Sequence, residues 1–320
     1  MLVFGTFCAP KQQVKHLDDT QNPLICDPDT GCAIPGAAEE KTTNFSSGSK
    51  PVRLIYFTDP ICSSCWGIEP QLRRLKQEYG DYFDIEYHMG GLLPSWDVYN
   101  SGGISKPSDV AHHWDEVSGY YDMPIDGDIW LEDPLPSSYP PSIAFKGAQL
   151  QDQKKAVHFL RRIREMVFLE KKNITRWEYL AQAAEETGLD TSRLKADLQS
   201  AAMQAFFEDL QLARNSGVRG FPTLFFTDSS GKSNILYGVK PYGQFEELIL
   251  KLHPAAQKKN YEKSPLALFS VYPTLCTREF AVLAGLEREE ALKLLENLYK
   301  DGKLDRTLCK NGPLWKWKDQ

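Results

Sequence analysis

The stretch T-D-P-I-C-S-S-C-W-G-I-E-P, residues 58–70, sets two cysteines three positions apart just after an apolar run. Such a pair serves as half of a zinc site, a structural disulfide, a redox couple or the remnant of one. The run before it, R-L-I-Y-F-T-D (53–59), has the apolar, β-rich character of a strand. Pro60 cannot donate to a preceding ladder but suits a helix start. Cys62 is therefore expected at a helix N-terminus, with Cys65 one turn deeper. There, unpaired N–H groups and the helix dipole favour a thiolate, the attacking species in thiol–disulfide exchange. The two intervening serines bring no positive charge, so the expected lowering of the Cys62 pKa is mild. Pro70 is expected to kink the helix.

Beyond the cysteines, Gln71, Leu72, Leu75 and Tyr79 keep a helical spacing, and Gly80 supplies a stop. F-D-I-E-Y-H-M (83–89) alternates as a strand, which predicts a right-handed βαβ unit. Residues 90–141, rich in Gly, Pro, Ser and Trp, read as irregular structure, with H-H-W at most on a short helix. Residues 142–216 read as helices. One begins S-I-A-F-K-G-A-Q-L-Q, a second carries Val157, Leu160, Ile163 and Val167, and a third has Thr175 as N-cap and Gly188 as its stop. Strands resume with P-T-L-F-F-T (222–227) and S-N-I-L-Y-G (233–238) around the turn D-S-S-G, and Y-G-Q-F-E-E-L-I-L-K-L closes the block as a helix.

The expected fold class is α/β. Residues 1–50 form an irregular extension containing Cys26 and Cys32. Residues 51–256 form a thioredoxin-like sheet with a helical subdomain inserted over about 92–217. A polar, Lys-rich linker starts at 257 and leads to helix, turn, helix and hairpin, a small winged-helix-like unit reaching 320 with Asn311–Gly312 at the hairpin tip. The segment G-V-R-G-F-P-T (217–223) supplies a second mark. In thioredoxin-like folds a cis-proline at this place packs against the cysteines and leaves backbone free to pair with a peptide substrate.

Residues 53–252 resemble the DsbA-like branch of the thioredoxin superfamily, in particular the cytoplasmic FrnE-like proteins. The shared motifs are D-P-x-C-x-x-C-W, M-G-G-L-L and V-R-G-F-P-T. The resemblance implies Cys62 as nucleophile, Cys65 as resolving thiol and Pro222 as the cis-proline. Phe221, Trp66 and His88 are candidates for a groove that holds a substrate chain. The tail, T-R-E-F-A-V-L-A-G-L through G-P-L-W-K, is similar to that of the SpxH (YjbH) proteins. Those share the DsbA-like body and present the regulator Spx to the ClpXP protease.

Two principal functions follow. The first is a thiol–disulfide oxidoreductase using a CxxC redox-active centre on disulfide-containing or unfolded proteins, or on small disulfides. It requires no tightly bound cofactor, and a small thiol such as glutathione is a candidate electron partner. The second is a non-catalytic adaptor for a Spx-like regulator. A third is a glutathione-dependent isomerase or transferase resembling the kappa class, in which a serine usually replaces the first cysteine.

No residue set is assigned to a metal. Cys26 and Cys32 followed far downstream by C-x-x-C is not a closed zinc spacing. Where SpxH-like proteins carry a His- and Cys-rich N-terminus, only Cys8, His16, Cys26 and Cys32 stand here. Cys276 and Cys309 read as small core residues, and His112–His113 as a surface pair. The net charge of −6, with signs mixed along the chain, makes no case for nucleic acid or an anionic membrane. In the tail, Glu287, Glu289, Glu290, Glu296 and Asp301 on the candidate recognition helix would repel phosphates. No apolar run reaches the roughly 18–20 residues that span a bilayer, and no basic residue precedes the short apolar start, so the expected location is cytoplasmic.

Overall fold

The computed structural model describes residues 32–33, 50–99 and 103–318. A two-residue strand, β1 (Cys32–Ala33), precedes the body. The body opens with β2 (Val52–Thr58), α1 (Ser63–Gly67), α2 (Glu69–Tyr79) and β3 (Phe83–Met89). Seven helices follow: α3 (Pro107–Tyr121), α4 (Ile129–Glu132), α5 (Tyr139–Gln151), α6 (Gln153–Leu169), α7 (Trp177–Glu186), α8 (Thr191–Asp197) and α9 (Ala201–Asn215). β4 (Gly220–Phe221) pairs with β1, and the sheet is then completed by β5 (Thr223–Asp228) and β6 (Ser233–Tyr237), closed by α10 (Tyr242–Leu252). The tail comprises α11 (Pro265–Val271), β7 (Thr274–Cys276), α12 (Thr277–Ala284), α13 (Arg288–Lys300), β8 (Leu304–Cys309) and β9 (Gly312–Trp317).

The main sheet has the order β3-β2-β5-β6, with β2 parallel to β3 and antiparallel to β5. Its central strands, β2 and β5, are buried almost throughout, as an apolar run covered on both faces requires. One core cluster runs from these strands into the inserted helices, so the insertion is continuous with the sheet's own interior. The tail has a second core around Leu275, Phe280, Leu295 and Trp315, under a three-stranded sheet of order β7-β9-β8. This is the thioredoxin-like sheet with helical insertion and the winged-helix-like tail that the sequence predicts.

Four local expectations are corrected. Pro70 does not kink a helix. The chain breaks at Ile68, which ends α1 and begins α2, and Pro70 falls in the first turn of α2, where no N–H is needed. The supposedly irregular 90–141 segment holds the 15-residue helix α3, whose Val110, Trp114, Val117 and Tyr121 form a buried helical stripe. Thr175 does not cap α7: its hydroxyl donates to Asn173 Oδ1 (2.6 Å), and the N-cap is Arg176. In the tail hairpin Cys309 pairs with Gly312, so the two-residue tip is Lys310–Asn311 and Gly312 lies on β9.

Candidate redox site and its junction with the tail

β2 delivers Thr58 and Asp59 to one end of the sheet, where the chain turns. Asp59 organises the turn. Its carboxylate accepts from the backbone N–H of Ile61 (3.1 Å) and Leu92 (2.8 Å) and from the Ser138 hydroxyl (2.8 Å), tying β2 to the G-G-L-L loop and to the start of α5. Burial pushes this carboxyl up to about 6, against those hydrogen bonds. Cys62 N–H donates to the Asp59 carbonyl (3.2 Å), and Cys62 becomes the N-cap of α1. The Cys65 N–H donates to Cys62 Sγ at 3.2 Å. Both cysteines are free thiols with no exposed surface.

The charge pattern differs from the helix-start expectation. Burial pushes the Cys62 thiol well up, and the neighbouring Cys65 and Asp59 add to that. Helix α1 has only five residues, which leaves little dipole to oppose burial. Burial also acts against ionisation at Cys65, but it is outweighed. The Cys62 thiol, the Arg164 guanidinium and the Thr58 and Tyr56 hydroxyls bring the Cys65 thiol below its ordinary value. Of the two thiols, Cys65 is therefore the more readily ionised.

The Phe221–Pro222 peptide bond is cis, at the head of β5. Thr223 pairs with Phe57, so Pro222 sits at the end of the sheet from which β2 runs on to Cys62. Gly90 makes room for the Phe221 ring: a Cβ there would lie 1.7 Å from it. Trp66 is fully buried, donates to the Pro124 carbonyl (3.1 Å) and stacks on Phe168, so it faces the interior and not a groove. His88 is bound to Asp209 (Nδ1 to Oδ1, 2.6 Å), which also takes Lys146 and the Met89 N–H; the imidazole joins β3 to α9. Beside Cys62 an apolar pocket is walled by Ile61, Leu92, Leu93, Trp96, Trp114 and Trp130. Of the two histidines, His112 is exposed and pairs with Glu116, and His113 lines that pocket. Cys276 is buried and Cys309 half-buried. Cys8, His16 and Cys26 lie outside the described residues.

Sequence reasoning missed the arginines. Arg164, wholly buried on α6, donates to Thr58 Oγ1 (2.6 Å) and the Asp59 carbonyl (3.3 Å) and pairs with Glu69 (2.8 Å). Arg73 lies between Glu69 (3.7 Å) and Glu279 of the tail (3.2 Å). Arg161 grips Glu279 with both terminal nitrogens (2.8 and 3.0 Å), pairs with Glu165 and lies over the Trp66 ring. Glu165 in turn accepts from Thr274 of β7. Arg161 and Arg73 hold the buried Glu279 below the usual carboxylate range despite its burial. Three guanidiniums and three carboxylates thus run from the cysteines to the tail. Nothing local marks L-R-R-I-R-E as different from any charged helix face.

At the far end of the tail, Lys310 bridges Asp115 (2.7 Å) and Asp128 (2.6 Å), and Asn311 donates to the Ile125 carbonyl (2.7 Å). The hairpin tip is seated on the insertion. The 257–264 linker is held too, since Lys259 N–H donates to the Glu78 carbonyl (2.8 Å).

The thioredoxin family profile matches residues 56–247. The ClpXP adapter protein SpxH of Halalkalibacterium halodurans is 34% identical over 303 residues, covering 93% of this chain and 98% of that protein. The chain belongs to the SpxH family of thioredoxin-fold proteins. The SpxH of Bacillus subtilis is 32% identical over 273 residues, covering 83% of this chain and 89% of its own. Among solved structures, the cytosolic disulfide reductase DsbM of Pseudomonas aeruginosa superposes with a TM-score of 0.50 at 22% identity, covering 63% of this chain and 97% of that one. That likeness concerns the fold. The match to SpxH proteins extends over nearly the whole chain, tail included.

Proposed function

We propose that this SpxH-family chain is an adaptor that presents a Spx-like regulator to the ClpXP protease in the cytoplasm. The observation that carries the reading is the end-to-end match to SpxH adaptors, 98% of one relative's length. The seated tail supports it, because body and tail offer a partner one continuous surface. No helix among the described residues is long and apolar enough to cross a membrane. In a reconstituted assay with ClpXP and a Spx-like regulator, adding the chain is expected to speed degradation at least tenfold. The Cys62→Ala/Cys65→Ala variant is expected to keep that stimulation. An unchanged degradation rate with the parent chain would overturn the reading.

A second reading, thiol–disulfide exchange, is favoured by one observation: Cys62 and Cys65 stand together at the start of α1 (Cys65 N to Cys62 Sγ, 3.2 Å), and the buried Arg164 guanidinium bonds Thr58 and Asp59 just before them. In that reading Cys62 forms the mixed disulfide with a substrate and Cys65 releases it, with Pro222 beside the substrate chain and glutathione as a source of electrons. Cys62→Ser is expected to abolish turnover of a glutathione-linked peptide disulfide. A variant that turns over at the parent rate would sink this mechanism.

A further inference from the structure

The pocket between the cysteine turn and the inserted helices is used by neither functional reading. It holds about 360 Å³, its open mouth included, the low end of the range for small-molecule sites and room for one substituted ring. Ile61 and Ser63, on either side of Cys62, wall it from the turn, and Leu92, Leu93 and Val110 wall it from the G-G-L-L loop and α3. Much of the remaining wall is indole. Trp130 stands edge to face against both Trp96 (5.8 Å, 87°) and Trp114 (5.2 Å, 87°), so ring faces and ring edges alternate there. A further aromatic ring extends such an array in the same geometry. No carboxylate, ammonium or guanidinium of the described residues lines the pocket, so a charged occupant would be desolvated without a counter-charge.

Two polar atoms of wall residues indicate what the ring carries. Ser63 Oγ and Trp130 Nε1 belong to residues 1% and 2% exposed, and neither has a hydrogen-bond partner among the described residues. Their neighbours are satisfied: Trp96 Nε1 donates to the Leu135 carbonyl (2.8 Å), and Ser64 Oγ bonds Tyr121 (2.9 Å). A hydroxyl and an indole N–H can both donate. A buried donor without an acceptor is costly, and an acceptor brought by an occupant offsets that cost. We propose that the pocket binds a small, uncharged aromatic molecule bearing a carbonyl group. The ring packs among the three indoles, and the carbonyl oxygen takes Ser63 and Trp130 as donors. The site stands whether or not the cysteines exchange and whether or not the chain serves a protease.

The test uses the full chain at pH 8, where an ordinary imidazole is neutral, with three probes of similar size: acetophenone, ethylbenzene and benzoate. In NMR titrations acetophenone is expected to bind about tenfold tighter than benzoate and to move the Trp130 indole N–H resonance, assigned with Trp130→Phe. Val110→Phe fills the pocket from α3 and is expected to weaken acetophenone about tenfold; Ile104→Phe is made in parallel in case the first variant fails to fold. Ser63→Ala is expected to weaken acetophenone about fivefold and ethylbenzene less than about twofold, because only the ketone has an acceptor to lose. No binding of acetophenone, benzoate binding as tightly, equal effects of Ser63→Ala on both neutral probes, or affinity untouched by the filling variants overturns the proposal. So does a peptide with one central phenylalanine that displaces acetophenone at about a hundredfold lower concentration, which would make the pocket a seat for a protein side chain.

Discussion

Asp59 shows how one residue can serve the turn and burden it. Its three hydrogen bonds align the chain that carries Cys62, yet burial keeps its carboxyl protonated up to about 6 against an ordinary 3.8. Between those values the folded chain retains a proton that the unfolded chain has lost. The resulting stability is present below about pH 3.8 and is lost as the pH rises to about 6, by on the order of 3 kcal/mol. Asp59→Asn removes this titration. In denaturant unfolding, the stability difference between parent and variant is therefore expected to shift toward the variant across pH 4 to 6.5 and to stay level above that. A pH-independent offset would show that Asp59 does not titrate in this window. The position of Asp59 was legible, as part of D-P-x-C-x-x-C. Its partners were not, because Leu92 and Ser138 reach it only through the fold.

At the scale of elements, periodicity located β2, β3, β5 and the two main tail helices, whose buried positions recur as an apolar period, and the D-S-S-G turn located β6, which is buried only at Leu236. It failed for α3, where flanking Gly, Pro and Ser obscured a stripe built on Trp114 and Tyr121. It also failed for the function of α6. Leu160, Ile163 and Val167 announce a buried face, but Arg161 and Arg164 are buried as well. Charge on a helix is ordinarily solvated; here carboxylates from α2 and α12, with Glu165 of α6 itself, explain the burial. Glu279→Gln leaves Arg161 and Arg73 facing an amide in the interior. The expected loss is about 3–5 kcal/mol, measured by urea unfolding, because breaking a buried pair strands its partner. Lys310→Ala, at the exposed hairpin tip, is expected to cost less than about 1 kcal/mol. Equal losses would mean that the tip holds the tail as strongly as the buried contacts of α12 do.

For the whole molecule, the thiol site and the tail belong to one connected interior. Residues legible in the sequence, namely Cys62, Cys65, Phe221 and Pro222, mark the site; the arginines and glutamates that join it to the tail were invisible there. The adaptor reading asks the tail and body to meet a regulator together. In the degradation assay, Glu279→Gln is therefore expected to impair stimulation, whereas Cys62→Ala/Cys65→Ala is not. The three arginines already have three glutamates as partners, and Arg164 also helps to draw the Cys65 thiol below its ordinary value, an ionisable group that a disulfide would remove. Such an arrangement obeys thermodynamic reciprocity: whatever free energy the redox state of the thiols imposes on the seating of the tail, a protein gripping the tail imposes equally on the thiols. A regulator bound to the tail would then read the oxidation state of cysteines it never touches.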